Sequence, residues 1–110
     1  MTVRAGMVAF EDELFGPVIA LICAADEAEA LSFANQTPYG LSAVVFTRNE
    51  QRGLDLARTH LEAGACFVNG KVSSDSRLPF GGIKMSGYGR ELGSYGVKAF
   101  VNVKTVVLAF

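Results

Sequence analysis

Histidine occurs once in these 110 residues and cysteine twice, too few for a disulfide scaffold, and no metal-ligating residue is assigned. His60 falls on the exposed side of a predicted helix and receives no role. Cys23 and Cys66 lie in the apolar, β-like contexts Leu21-Ile22-Cys23 and Ala65-Cys66-Phe67, where a free cysteine packs as a small hydrophobe. Neither has the cationic neighbours or helix amino terminus that would make a thiolate nucleophile. An excess of either charge is also missing: ten basic and eleven acidic residues leave a net charge of −1. Without a basic stripe, neither nucleic acid nor an anionic membrane surface is an expected partner. No apolar run reaches the length of a membrane span, and the amino terminus lacks the charged-then-apolar order of a secretory signal. The expectation is a cytoplasmic protein.

Half of the residues are hydrophobic, 19% are charged and mean hydropathy is +0.29, a composition far from disorder. At 11.7 kDa the chain suits a single domain spanning 1–110, and folding should bury roughly 65% of the unfolded surface. Val18 to Cys23 is a short continuous apolar run, as in a strand buried on both faces of a parallel sheet. Asp26 then reads as an N-cap with Glu29 three residues on, and Ala24, Ala28, Leu31 and Asn35 share a face until Pro38 and Gly40 end the helix.

Leu41 to Thr47 is β-rich, and Asn49 is placed to cap a second helix with Leu54, Ala57 and Leu61 at helical spacing. Gly53 weakens that helix, and Gly64 stands where a C′ glycine would close it. Ala65 to Asn69 reads as a third strand, Arg90 to Phe100 as a weak helix, and Val101 to Phe110 as a final strand. Strands alternating with helices of about ten residues predict an α/β fold of βαβ units around a parallel sheet.

The densest signal is Pro79-Phe80-Gly81-Gly82-Ile83-Lys84-Met85-Ser86-Gly87-Tyr88-Gly89-Arg90-Glu91. Gly81, Gly82, Gly87 and Gly89 around single aromatic and charged residues specify a shaped loop. Phosphate-cradle readings fail on spacing. No Gly-x-x-x-x-Gly-Lys-Ser/Thr occurs, and Leu92 stands where a dinucleotide fingerprint needs its third glycine.

The run resembles the carboxy-terminal signature of the aldehyde dehydrogenase superfamily, and Glu13-Leu14-Phe15-Gly16-Pro17 resembles that family's cofactor-proximal motif. Asn35-Gln36-Thr37-Pro38-Tyr39-Gly40-Leu41 and Cys66-Phe67-Val68-Asn69 are also similar to family segments. The wording of Arg77-Leu78-Pro79-Phe80 and Gly87 to Leu92 most resembles members of the succinate-semialdehyde dehydrogenase type. The resemblance implies NAD- or NADP-dependent oxidation of an aldehyde to a carboxylic acid, and the carboxy-terminal part of the family's catalytic domain.

By this resemblance Glu13 accepts hydrogen bonds from the nicotinamide ribose diol, as a carboxylate suits, and Phe15 packs beside the nicotinamide ring. On the residues alone, Phe15-Gly16-Pro17 reads rather as a turn packed at the start of a strand, and only the resemblance reverses that reading. Phe80 corresponds to an aromatic lining the aldehyde tunnel, with a loop anchor as the alternative. Ser74 and Arg77 would hydrogen-bond and pair with the carboxylate of an ω-semialdehyde such as succinate semialdehyde, or are simply solvated loop residues. Arg90 and Glu91 are expected to anchor the loop, and Lys84 is expected to be structural.

The resemblance covers only the carboxy-terminal portion of a longer family. It therefore implies that the Rossmann domain, the nucleophilic cysteine, the general-base glutamate and the oxyanion-hole asparagine are not among these residues, and no catalytic residue is assigned. Such a truncated fragment would bind NAD weakly or not at all. Its partners would be copies of itself, paired through residues 101–110 as an oligomerisation strand, or a complementary aldehyde dehydrogenase segment. The alternative is a non-catalytic self-associating or partner-binding module built on unpaired sheet edges.

Overall fold

A computed structural model describes residues 1–110, which form two compact units, Met1–Thr37 and Pro38–Phe110. In the first unit β1 (Thr2–Val3) and β2 (Leu21–Ile22) pair in parallel, Thr2 opposite Leu21 and Val3 opposite Ile22. The short helix α1 (Val8–Glu11) lies between them in sequence, and Val3 is the most deeply buried large side chain, 1% exposed. Helix α2 (Glu27–Gln36) begins as its residues dictate. Asp26 Oδ1 accepts from Glu29 N at 2.9 Å, while Glu29 Oε2 reaches back to Ala25 N at 2.6 Å. The helix is held to α1 by an edge-to-face contact of Phe10 and Phe33, with ring centroids 5.6 Å apart.

The second unit is a βαβ unit with a long loop folded onto its end. Strands β3 (Ser42–Val45) and β4 (Ala65–Val68) pair in parallel, Ser42 opposite Ala65 through Val45 opposite Val68. Helix α3 (Glu50–Thr59) connects them, capped by Asn49 Oδ1 accepting from Arg52 N at 3.0 Å. The parallel pairing predicted from strand–helix alternation is present, as two separate two-stranded sheets.

Three local expectations are corrected. The buried face of α3 is Gly53 and Leu56, whereas Leu54 is 45% exposed. Gly53 is in the helix because the strands approach it: a Cβ there would lie 2.8 Å from both Thr47 Cγ2 and Val68 Cγ1. Gly64 is not a C′ residue, since α3 ends at Thr59 and the chain runs on through Leu61 to Gly64, which immediately precedes β4. And β2 is a two-residue strand, exposed rather than buried on both faces, because a single neighbour of equal length pairs with it.

Helix α4 (Gly93–Ala99) matches the weak helix expected there. Residues 101–110 form no strand within the chain and are exposed throughout. Their β propensity is unspent, because a strand exists only when a neighbour completes its ladder. The exposed surface is 8736 Å². A compact monomer of this mass exposes roughly 5,900 Å², so about half of the unfolded surface is buried rather than the roughly 65% expected. Phe100, Val103, Val106, Val107, Leu108 and Phe110 account for part of the excess. No helix is long and apolar enough to cross a membrane, and no group of three metal-ligating side chains is present.

Candidate functional site

In the second unit the glycine-rich segment folds back on itself and is bolted to the βαβ unit by backbone. Phe80 and Glu91 form an antiparallel bridge, each N–H donating to the other's carbonyl at 2.8 Å. Between them, Arg90 Nη1 donates to the Gly82 and Gly89 carbonyls, both at 2.7 Å, so one guanidinium closes the loop. Gly87, with φ 134°, takes a conformation that side chains resist.

The loop then docks on Pro38 and Gly40. Ile83 N donates to Gly40 O at 3.0 Å, Met85 N to Pro38 O at 3.0 Å, and Gly40 N to Ser86 Oγ at 3.0 Å. Gly40 O also accepts from Gly64 N at 3.0 Å, which joins three segments at one carbonyl. The approach is so close that a Cβ on Gly64 would fall on the Gly81 carbonyl. Lys84, expected to be structural, pairs with Glu62 at 2.8 Å and ties the loop to the turn before β4.

The substrate-loop candidates lie just before this clasp. Ser74 is exposed, and Arg77 is engaged: its Nε and Nη2 donate to Asp75 Oδ1 and Oδ2 at 2.9 and 2.6 Å, and its backbone N to Oδ1 at 2.9 Å. The Nη1 donors stand outside that pair. Phe80 is half-buried on its bridge. A separate open cavity of about 1010 Å³ is lined by Ile83, Tyr88, Arg90, Tyr95 and Lys98 among others, but not by Ser74, Arg77 or Phe80. The cofactor-side candidates belong to the first unit, where Glu13 is exposed and the Phe15 ring is 94% exposed. A free carboxylate two residues before a free aromatic face fits a ribose diol joined to a flat ring.

The Arg77 guanidinium holds the Asp75 carboxyl below the usual carboxylate range, and Asp75 in turn raises Arg77. A depressed carboxyl keeps its partner at and above the ordinary aspartate range and loses it as pH falls through the depressed value. We expect the Asp75 carboxyl resonance to titrate below an ordinary aspartate and to move up toward the ordinary midpoint in Arg77→Gln, which removes the guanidinium but keeps the backbone N–H on Asp75 Oδ1. Identical midpoints in the two chains would mean that the pair is absent in solution.

Sequence reasoning missed Asp75, although an aspartate in a polar, serine-rich loop favours an Asx turn to the backbone two residues on. It also missed the role of Asn69, whose side chain continues the ladder past β4. Its Oδ1 accepts from Thr47 N and its Nδ2 donates to Thr47 O, both at 2.8 Å. Cys66 is half-buried, and burial pushes its thiol up, away from a thiolate role. Cys23, expected in the core, is exposed because β2 is covered on neither face.

The family model of the aldehyde dehydrogenase family matches residues 1–106. The chain belongs to the aldehyde dehydrogenase family. Among curated members it is 47% identical over 100 residues to succinate semialdehyde dehydrogenase [NAD(P)+] of Escherichia coli K12, covering 91% of this chain and 21% of that protein. It is 45% identical over 103 residues to succinate-semialdehyde dehydrogenase [NADP(+)] of Mycobacterium leprae, covering 94% of this chain and 22% of that one. The succinic semialdehyde dehydrogenase of Streptococcus pyogenes, solved with NADP+, superimposes with a TM-score of 0.90 at 37% identity, over 96% of this chain and 23% of that one. This aldehyde dehydrogenase family chain thus spans about a fifth of the length of the curated relatives it matches.

Proposed function

We propose that this chain forms the carboxy-terminal part of the catalytic domain of an NAD(P)-dependent aldehyde dehydrogenase, acting as one wall of its pocket. The substrate class is an aldehyde carrying a distal carboxylate, such as succinate semialdehyde. The observation that carries the reading is 47% identity across 100 residues to a succinate semialdehyde dehydrogenase, with both family motifs intact. Bound NAD(P) would supply the hydride acceptor for aldehyde oxidation. In this reading Glu13 accepts from the ribose hydroxyls and Phe15 lays its ring against the nicotinamide. Phe80 narrows the tunnel, held in place by its bridge to Glu91. Ser74 and the outward Nη1 of Arg77 receive the distal carboxylate, with Asp75 keeping the guanidinium fork oriented.

The nucleophile, base and oxyanion donor would come from a complementary aldehyde dehydrogenase segment, and residues 101–110 would complete their ladder on a neighbouring subunit. The isolated chain should therefore produce no NAD(P)H from succinate semialdehyde. Mixed with the E. coli relative lacking its matching region, it should restore activity. In that mixture Arg77→Gln should raise KM for succinate semialdehyde about tenfold and leave an uncharged aldehyde unaffected. Oxidation by the isolated chain would sink this assignment.

A second reading, a non-catalytic self-associating module, is favoured by the apolar side chains left open from Phe100 to Phe110. Association without complementation would support it, and a dilute monomer in light scattering would remove it.

A further inference from the structure

We propose that Asn69 is a latent deamidation site that the fold holds closed and that opens only when the end of the β3–β4 ladder lets go. Asn69 is the one asparagine here followed by glycine. Asn35, Asn49 and Asn102 precede Gln36, Glu50 and Val103. A following glycine leaves its backbone nitrogen unshielded and its chain free to bend.

In the reaction the Gly70 nitrogen forms a bond to Asn69 Cγ. The side-chain nitrogen departs as ammonia, taking up the Gly70 amide proton, and a five-membered imide remains. Water then adds to one imide carbonyl and breaks its C–N bond, leaving either aspartate or a chain rerouted through the side chain. One water is consumed and one ammonia released, with no change in oxidation state.

The folded chain resists the first step. Both polar atoms of the Asn69 carboxamide are committed to Thr47, at 2.8 Å each, and its own N–H donates to Val45 O at 2.8 Å. Asn69 is also seated at φ 53°, a left-handed conformation that asparagine tolerates. Cγ cannot turn onto the Gly70 nitrogen while these bonds persist. Once the change has occurred it cannot be undone by refolding. A carboxylate has no donor for the Thr47 carbonyl and would set oxygen against oxygen there. The segment that follows carries Ser74 and Arg77, so the loop would lose its first anchor. This inference is independent of the proposed enzyme activity.

The full chain, incubated in mildly alkaline buffer with and without denaturing urea, tests it by peptide mass spectrometry and ammonia release. Conversion at Asn69 should be about tenfold to a hundredfold slower in the native chain, as expected for two hydrogen bonds that must open first. Gly70→Ala should slow conversion in urea. Its added Cβ meets nothing nearer than Val68 O at 3.8 Å, so the variant should fold. Asn69→Asp should lower the urea midpoint. Equal native and denatured rates, denatured conversion no faster at Asn69 than at Asn35, or an unchanged midpoint in Asn69→Asp would each overturn the proposal.

Discussion

Gly64→Ala is expected to unfold the second unit at denaturant concentrations that leave the parent chain intact, with a loss of about 3 kcal/mol or more. The added Cβ would coincide with the Gly81 carbonyl, 2.8 Å from Gly81 C and 3.1 Å from Gly82 Cα. All three are backbone atoms, and no rotamer change moves them aside. Relief would require the glycine loop to lift from Pro38 and Gly40, breaking the Ile83–Gly40, Met85–Pro38 and Gly40–Ser86 hydrogen bonds. A chain of this length has a stability of about 5 kcal/mol at the low end, so the substitution would remove more than half of it. Urea unfolding followed by circular dichroism measures this, with Gly70→Ala as the comparison, which should change stability by no more than about 0.5 kcal/mol. A Gly64→Ala midpoint equal to the parent's would mean that the loop does not rest on Gly64.

Arg90→Ala is the second large effect. One Nη1 carries two short charge-assisted bonds to the Gly82 and Gly89 carbonyls, and the truncation leaves both acceptors without it. Such bonds contribute about 1.5–3 kcal/mol each where buried. With one of the two exposed, a total near 2–3 kcal/mol is reasonable, or a fall in Tm of roughly 10 °C. Arg90→Lys should recover less than half, because a lysine ammonium stands at the place of Arg90 Cζ, one bond short of the Nη1 that reaches both carbonyls. The same variants should speed proteolytic cleavage between Gly82 and Gly89 before any other site. Parent-like cleavage and Tm in Arg90→Ala would show that the Phe80–Glu91 bridge alone closes the loop.

The two effects share a cause. The loop that bears the family signature has little side-chain core of its own, and is shaped by main-chain contacts and one guanidinium. Glycine is required at Gly40, Gly64, Gly81 and Gly82 because other atoms occupy the place of its missing Cβ. In the complementation experiment, either variant should therefore depress activity through loss of the loop's position, while Glu13 and Phe15 remain unchanged.

Much of this was legible from residues alone. The Asp26 and Asn49 caps formed where their side chains and the helices behind them required, and strand–helix alternation forecast parallel pairing. The two glycine- and proline-bearing motifs identified the family. These signals act within a few residues, or are read from a motif whole, so no packing information is needed.

What packing decided was different in kind. Leu56 rather than Leu54 faces the strands because Gly53 lets the helix approach Thr47 and Val68. Asn69 extends the ladder because Thr47 ends up beside it, 22 positions away in the chain. Arg77 is already paired, and the apolar segment after Phe100 is not a strand, because one found a partner and the other did not. Sequence by itself determined α2 and α3 with their caps, the β3 and β4 strands and the family; tertiary structure alone decided which backbones touch, since that distance depends on segments far apart in the chain and on no single residue type.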